Sequence, residues 1–164
     1  MAVIERDVVI IGGGPAGLTA GMYASRAKLS TVILEKGNPG GQCRTTELME
    51  NYPGFAKGMT GPELMERFAE HAKTFGAEIV RDNVCRADFS GDQHVVYTTK
   101  GDEYHAKAVI IAVGAEPRTL NIPGEHELRG KGVSYCATCD ADFFEELDIV
   151  VIGNGDAAVE EAMY

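Results

Sequence analysis

The run Val8-Val9-Ile10-Ile11-Gly12-Gly13-Gly14-Pro15-Ala16-Gly17 constrains the fold more than any other stretch of the chain. Four branched apolar residues in a row suit a strand buried on both faces. The G-x-G-x-x-G that follows opens a helix of small residues. Thr31-Val32-Ile33-Leu34 then reads as a second buried strand ending in Glu35. Strand, glycine turn, helix, strand and acid in this order make a βαβ dinucleotide-binding unit. Gly12 permits the tight turn, and Gly14 lets a pyrophosphate approach the backbone. Gly17 allows the helix to pack against the strand. Pro15 suits the first helical turn, and the free N–H groups beside Ala16 face the phosphates. Glu35 lies where a carboxylate can hydrogen-bond a ribose. The alternative is a glycine turn with a purely structural role.

Composition narrows the remaining possibilities. Hydrophobic residues form 45% of the 164, which excludes a disordered chain. A net charge of −10 argues against binding the phosphate backbone of nucleic acid. No apolar run reaches the length of a membrane span, and Met1 to Asp7 lead into the first strand without a signal peptide, so the expected compartment is the cytoplasm. Four cysteines are too few for a disulfide scaffold, and in a reducing compartment a close pair points to catalysis or metal.

Residues 36–59 are rich in glycine and polar side chains, with turn signals at Pro39-Gly40-Gly41-Gln42 and Asn51-Tyr52-Pro53-Gly54. So long a loop is either functional or a surface excursion. Thr60-Gly61-Pro62-Glu63 is a capping box. It starts a helix whose apolar stripe is Leu64, Met65, Phe68, Ala69, Ala72 and Phe75, and Gly76 ends it. Residues 77–80 predict another parallel strand. Segments 84–89, 94–99 and 103–106, separated by Ser90-Gly91-Asp92 and Lys100-Gly101-Asp102, predict an antiparallel meander with Cys85 in its core. Residues 108–114 predict a return to a fully buried strand.

Residues 115–132 read as a connector between domains. Beyond it, 148–152 predict a buried strand leading into Gly153-Asn154-Gly155-Asp156-Ala157-Ala158, a second G-x-G-x-x-A. Two fingerprints imply two nucleotide cofactors, and the chain reads as the front part of a longer protein. Between the connector and this fingerprint stands Cys136-Ala137-Thr138-Cys139-Asp140. Cysteines at C-x-x-C spacing close a small disulfide ring when a helix start brings the sulfurs together. The backbone N–H groups there also stabilise the thiolate that attacks in disulfide exchange. Zinc would need further ligands, and no second C-x-x-C or H-x-x-x-H exists; two inert cysteines are the other alternative. Asp140 is either a proton relay for the leaving thiol or a first-turn carboxylate favoured by the helix dipole.

Taken together with Gly40-Gly41-Gln42, Glu50-Asn51-Tyr52-Pro53-Gly54 and Ile111-Ala112-Val113-Gly114, these motifs resemble those of bacterial low-molecular-weight thioredoxin reductases. Those are flavoproteins of the pyridine-nucleotide disulfide oxidoreductase group. The resemblance runs from Asp7 to Tyr164. It implies a Rossmann-like three-layer α/β FAD-binding domain over 1–114 with an inserted antiparallel meander. A connector over 115–132 and the start of a second Rossmann-like nucleotide domain over 133–164 would follow. By the same resemblance, Gly12, Gly13, Gly14, Pro15 and Ala16 face the FAD pyrophosphate, with Glu35 and Lys36 at the adenosine ribose. Gly41, Gln42 and Asn51 lie along the ribityl chain and flavin ring. Val84 meets the adenine, and Ala112 and Gly114 close over the cofactor. Gly153, Gly155 and Asp156 belong to the NADPH site.

The resemblance implies a route from NADPH through FAD to a Cys136–Cys139 redox disulfide, with Asp140 as proton donor, and on to thioredoxin or a similar protein. A hinge would present the pair to flavin and partner in turn, and a homodimer is implied. Three departures stand out. Segments that contact the flavin ring in the family are missing. Asn154 stands where glycine is frequent, and no basic 2′-phosphate site is present. Ala141 follows Asp140 where glycine is common. Relatives that take electrons from ferredoxin keep that donor open, and a non-catalytic fragment is the remaining alternative.

Overall fold

The computed structural model describes residues 2–164. They form two compact units, one ending at Ala115 and one spanning Glu116–Tyr164. The first opens with β1 (Val3–Ile11), α1 (Pro15–Arg26) and β2 (Thr31–Glu35). β1 and β2 pair in parallel from Val8↔Thr31 to Ile11↔Leu34. A 3₁₀ turn (Gly41–Thr45) and α2 (Gly61–Thr74) lead to β3 (Glu78–Arg81), parallel to β2. β4 (Val84–Asp88), β5 (His94–Thr98) and β6 (Glu103–Ile111) form the antiparallel meander. All six strands share one sheet in the order β3-β2-β1-β6-β5-β4.

The strand period of two explains why the glycine-flanked runs are apolar throughout. Val8, Ile10 and Ile33 point to one side and pack with Leu18 of α1 and Ala69 and Ala72 of α2. Val9, Val32 and Leu34 point to the other and pack with Val96 of β5 and Tyr104 and Ala106 of β6. Helices cover one face of the parallel strands and the meander covers the other, which makes three layers around β1 and β2. A helix of 12 residues is marginal alone. Burying Leu18 and its neighbours contributes roughly 1.5–3 kcal/mol per side chain, so packing rather than propensity holds α1 in place.

α2 begins as its sequence predicts. Thr60 Oγ1 accepts from the Glu63 N–H at 3.3 Å, and Glu63 Oε2 accepts from the Thr60 N–H at 3.2 Å. Leu64, Met65, Ala69 and Ala72 are buried, and Gly76 takes the left-handed conformation (φ 99°) just past the helix end. Phe75 departs from the expected stripe: it is the C-cap of the helix and is exposed.

Three other expectations are corrected. Segments 103–106 and 108–114 are not two strands. β6 is continuous, pairing antiparallel with β5 through its first half and parallel with β1 along its length. Its far end is exposed, Ile111 at 63% and Val113 beyond it at 66%. Cys85 is exposed, its thiol donating to the Tyr97 carbonyl, because it lies on the edge strand at an irregularity between Val84 and Arg86. Residues 148–152 form no strand, and Ile149, Val150 and Ile152 are exposed. A strand needs a ladder partner, and among the described residues the second unit has only one isolated bridge, Arg129↔Val133. The second unit otherwise contains α3 (Ala137–Asp140), a 3₁₀ turn (Ala141–Phe144) and α4 (Asp156–Met163). Among the described residues no helix is long and apolar enough to cross a membrane.

Candidate functional site

In the first unit the glycine turn, the end of β2, the 3₁₀ turn and the end of β6 converge. Gly12 sits at φ 104°, and a Cβ there would lie 2.3 Å from the Ala112 carbonyl oxygen, so only glycine fits between β1 and the chain leaving β6. Its N–H donates to Leu34 O at 2.9 Å, locking the turn to β2. Gly40 N–H donates to Gly13 O at 2.7 Å, which brings the 3₁₀ turn alongside. A Cβ on Gly41 would stand 3.3 Å from the Gly14 Cα, whereas one on Gly14 would project into open space. Gln42 donates its side-chain amide to Ala115 O, closing the far side next to Gly114.

Gly14 is the N-cap of α1. No side chain caps the helix, Pro15 fills its first turn, and no acidic residue lies there. The positive end of the helix dipole therefore opens onto a cradle floored by bare backbone, which suits a pyrophosphate. Glu35 borders it. Its two oxygens accept from Gly13 N–H (2.7 Å) and Gly37 N–H (2.8 Å). A carboxylate offers about four lone-pair sites, so Glu35 can still accept from ribose hydroxyls. Lys36 is exposed beside it. The Asp82 N–H donates to Glu35 O at 3.0 Å, which sets the start of β4, and so Val84, next to the ribose end. Burial works to raise the Asp82 carboxyl pKa, but hydrogen bonds from Thr98, the Asn83 N–H and Thr99 outweigh it and hold the group below the ordinary range. These residues fit FAD: the cradle is open where a Cβ at Gly14 would fill it. Asn51 lines an open hollow formed by residues 50–56, where Tyr52 packs against Phe55 and Phe68.

In the second unit Cys136 and Cys139 are joined in a disulfide, with Cα atoms 5.3 Å apart. Cys136 is the N-cap of α3, and its carbonyl accepts from the N–H groups of Cys139 (3.2 Å) and Asp140 (3.1 Å). Asp140 bonds neither sulfur. Its carboxylate accepts from the Ser134 hydroxyl at 2.6 Å, and Ser134 Oγ in turn accepts from the Cys136 N–H at 3.1 Å. Glu161 of α4 accepts from the Ala137 N–H, tying α4 to the start of α3. Gly155 caps α4, Asp156 is its first residue, and a Cβ on Gly153 would press on Ala158 at 2.6 Å. The turn and helix of the second fingerprint thus form without their strand. Sequence reasoning did not single out Ser134, Gly37 or Glu161, since no motif or period marks a side chain that acts on a neighbouring backbone.

The model for the family described as "Pyridine nucleotide-disulphide oxidoreductase" matches residues 6–164. The chain belongs to that family. Among curated pyridine nucleotide-disulphide oxidoreductases, it is 54% identical over 158 residues to a thioredoxin reductase of Peptoclostridium acidaminophilum, covering 96% of this chain and 50% of the relative. It is 52% identical over 158 residues to the thioredoxin reductase of Bacillus subtilis (strain 168), covering 96% and 49%. Among solved structures, the thioredoxin reductase of Streptococcus pyogenes MGAS5005 superposes with a TM-score of 0.91 at 47% identity, covering 98% of this chain and 52% of that one. The chain spans about half the length of the curated relatives it matches.

Proposed function

We propose that this chain is the FAD-holding and disulfide-bearing part of a thioredoxin reductase, which passes electrons from NADPH to the disulfide of thioredoxin or a similar protein. The observation that carries the reading is the closed Cys136–Cys139 pair at a helix start, in the same chain as an open glycine cradle. Relatives named thioredoxin reductase support it. FAD, when bound, supplies the two-electron chemistry that links a nicotinamide hydride to a disulfide.

Gly12, Gly13, Gly14, Pro15 and Ala16 hold the pyrophosphate, with Glu35 and Lys36 at the ribose. Gly41, Gln42 and Asn51 follow the ribityl chain and ring. Val84 serves the adenine, and Ala112 and Gly114 close the cradle. Gly153, Gly155 and Asp156 serve the nicotinamide nucleotide. In the dithiol form the Cys136 thiolate attacks the partner's disulfide and one partner sulfur leaves as thiolate. Cys139 then attacks the mixed disulfide. The Cys136–Cys139 bond re-forms, and the partner departs as a dithiol that has gained two electrons and two protons. Asp140 moves the proton of Cys139, with Ser134 orienting its carboxylate. We place the protein in the cytoplasm as a homodimer.

The test is Cys139→Ser in the full-length protein. Flavin absorbance stays and reduction of thioredoxin falls to background. Undiminished turnover overturns the assignment of the pair, and a colourless full-length protein overturns the cofactor.

A further inference from the structure

Eleven residues before Cys136 lies a carboxylate that forms no salt bridge among the described residues. Glu125 is only 4% exposed, and its Oε2 is buried without a hydrogen-bond partner. Its Oε1 accepts from the Tyr135 hydroxyl at 2.5 Å and from the Leu120 N–H at 2.9 Å. An ionised group in such a place loses hydration, which the Tyr135 hydroxyl and the backbone N–H groups of residues 120–122 replace on one side. A glutamine would keep the shape without that cost. The charge-assisted bond that reaches toward the cysteines is the one to Tyr135, the residue next to Cys136. The Arg129 guanidinium lies over the Tyr135 ring, 5.0 Å from its centre, and holds the ring from the other side.

The electrostatics agree with a tight pair. Tyr135, then the Leu120 N–H, hold the Glu125 carboxyl below its ordinary value, while the bond to Glu125, then burial, push the Tyr135 phenol up. From Tyr135 the restraint passes straight into the ring-forming segment. Tyr135 is fixed by its side chain, and the following N–H, that of Cys136, is fixed by Ser134. The Cys136 carbonyl is fixed by two N–H groups of α3. With the backbone on both sides of Cys136 held, little freedom is left to lose when the two sulfurs join.

We propose that Glu125 and Tyr135 are positioning residues for the redox pair, a latch that holds Cys136 where its sulfur meets that of Cys139. The inference rests on the proposed role of this pair, but its consequence is thermodynamic and needs neither flavin nor thioredoxin. Breaking the latch frees the backbone of the dithiol, lowers the effective concentration of one thiol at the other, and makes the disulfide easier to reduce.

The experiment equilibrates the full chain with dithiothreitol, which becomes its cyclic disulfide as Cys136 and Cys139 take up two electrons and two protons. The thiol content is then read against the ratio of reduced to oxidised reagent. Tyr135→Phe removes one hydroxyl and keeps the ring under Arg129; Glu125→Gln keeps the shape and removes the charge. Tyr135→Phe moves the equilibrium constant toward the dithiol by about tenfold, the scale of one charge-assisted hydrogen bond, and Glu125→Gln, which keeps an acceptor oxygen, moves it the same way by less. Because both act on the same bond, one removing it and the other its charge, the double variant moves the constant no further than Tyr135→Phe alone. An unchanged constant in folded Tyr135→Phe overturns the latch, as does additivity in the double variant. Should Glu125→Gln fail to fold, Tyr135→Phe alone decides. If Cys139→Ser keeps its turnover while the constant shifts as described, the functional reading fails and the latch stands.

Discussion

Replacing Gly17 by alanine sets two effects of known sign against each other. Alanine is favoured over glycine inside a helix by about 1 kcal/mol. At this position, however, the added Cβ would lie 1.9 Å from the Gly12 carbonyl oxygen and 3.0 Å from its carbon, where carbon contacts prefer about 3.5–4.0 Å. The oxygen cannot swing aside cheaply. Its residue is held at φ 104°, and the Gly12 N–H is bonded to Leu34 O at 2.9 Å. The remaining way out is for α1 to lift from β1, which loosens Leu18 from Ile10 and Ile33. Overpacking against rigid backbone costs at the upper end of 1–3 kcal/mol, so the net loss is about 2 kcal/mol after the helix gain. Gly21→Ala is the control on the same helix. Its Cβ would meet Ile33 Cδ1 at 2.5 Å, the end of a side chain that can rotate, and the loss there is about 1 kcal/mol or less. Urea unfolding followed by circular dichroism measures both at unchanged m-value. Gly17→Ala within about 0.5 kcal/mol of the parent, or no worse than Gly21→Ala, would refute the argument from close approach.

Thr60→Ala removes the side-chain half of the capping box and leaves the backbone N–H to Glu63, lowering stability by about 1 kcal/mol, while Thr60→Ser keeps both halves; urea midpoints distinguish them. Asp7 gives a pH signature. Its carboxylate is held far below its ordinary 3.8 by the Lys107 ammonium at 2.7 Å and then by the N–H and hydroxyl of Ser30. A depressed folded-state value means stability that is complete above the ordinary value and lost as pH falls through the folded one. The parent's urea midpoint therefore declines on acidification below about pH 4 more steeply than that of Asp7→Asn, and equal slopes would remove Asp7 from the account.

The βαβ unit was legible because its signals are local: a glycine at positive φ, a proline in the first turn, two continuous apolar runs. The box at Thr60 and the hairpin turn at Gly101, with φ 89°, were legible for the same reason. Ile149-Val150-Val151-Ile152 shows the limit. Its composition is that of a buried strand, but strand formation is decided by the neighbour that supplies the ladder, which composition does not contain. The split drawn between 106 and 108 failed similarly, since a change of partner from β5 to β1 leaves no mark within β6. The contacts around the cysteines were hidden for another reason. Ser134 with Asp140, and Glu125 with Tyr135, are single side-chain meetings set by how a turn happens to close.

β6 has a consequence for how the first unit comes apart. The same nine residues give one edge of their backbone to β1 and the other, over the first few, to β5. The meander thus has no seam along which it could be excised, and its removal would strip β1 of a bonded neighbour. Amide exchange in β1, β5 and β6 should therefore slow and quicken together, as one cooperative block rather than as two modules joined by a linker.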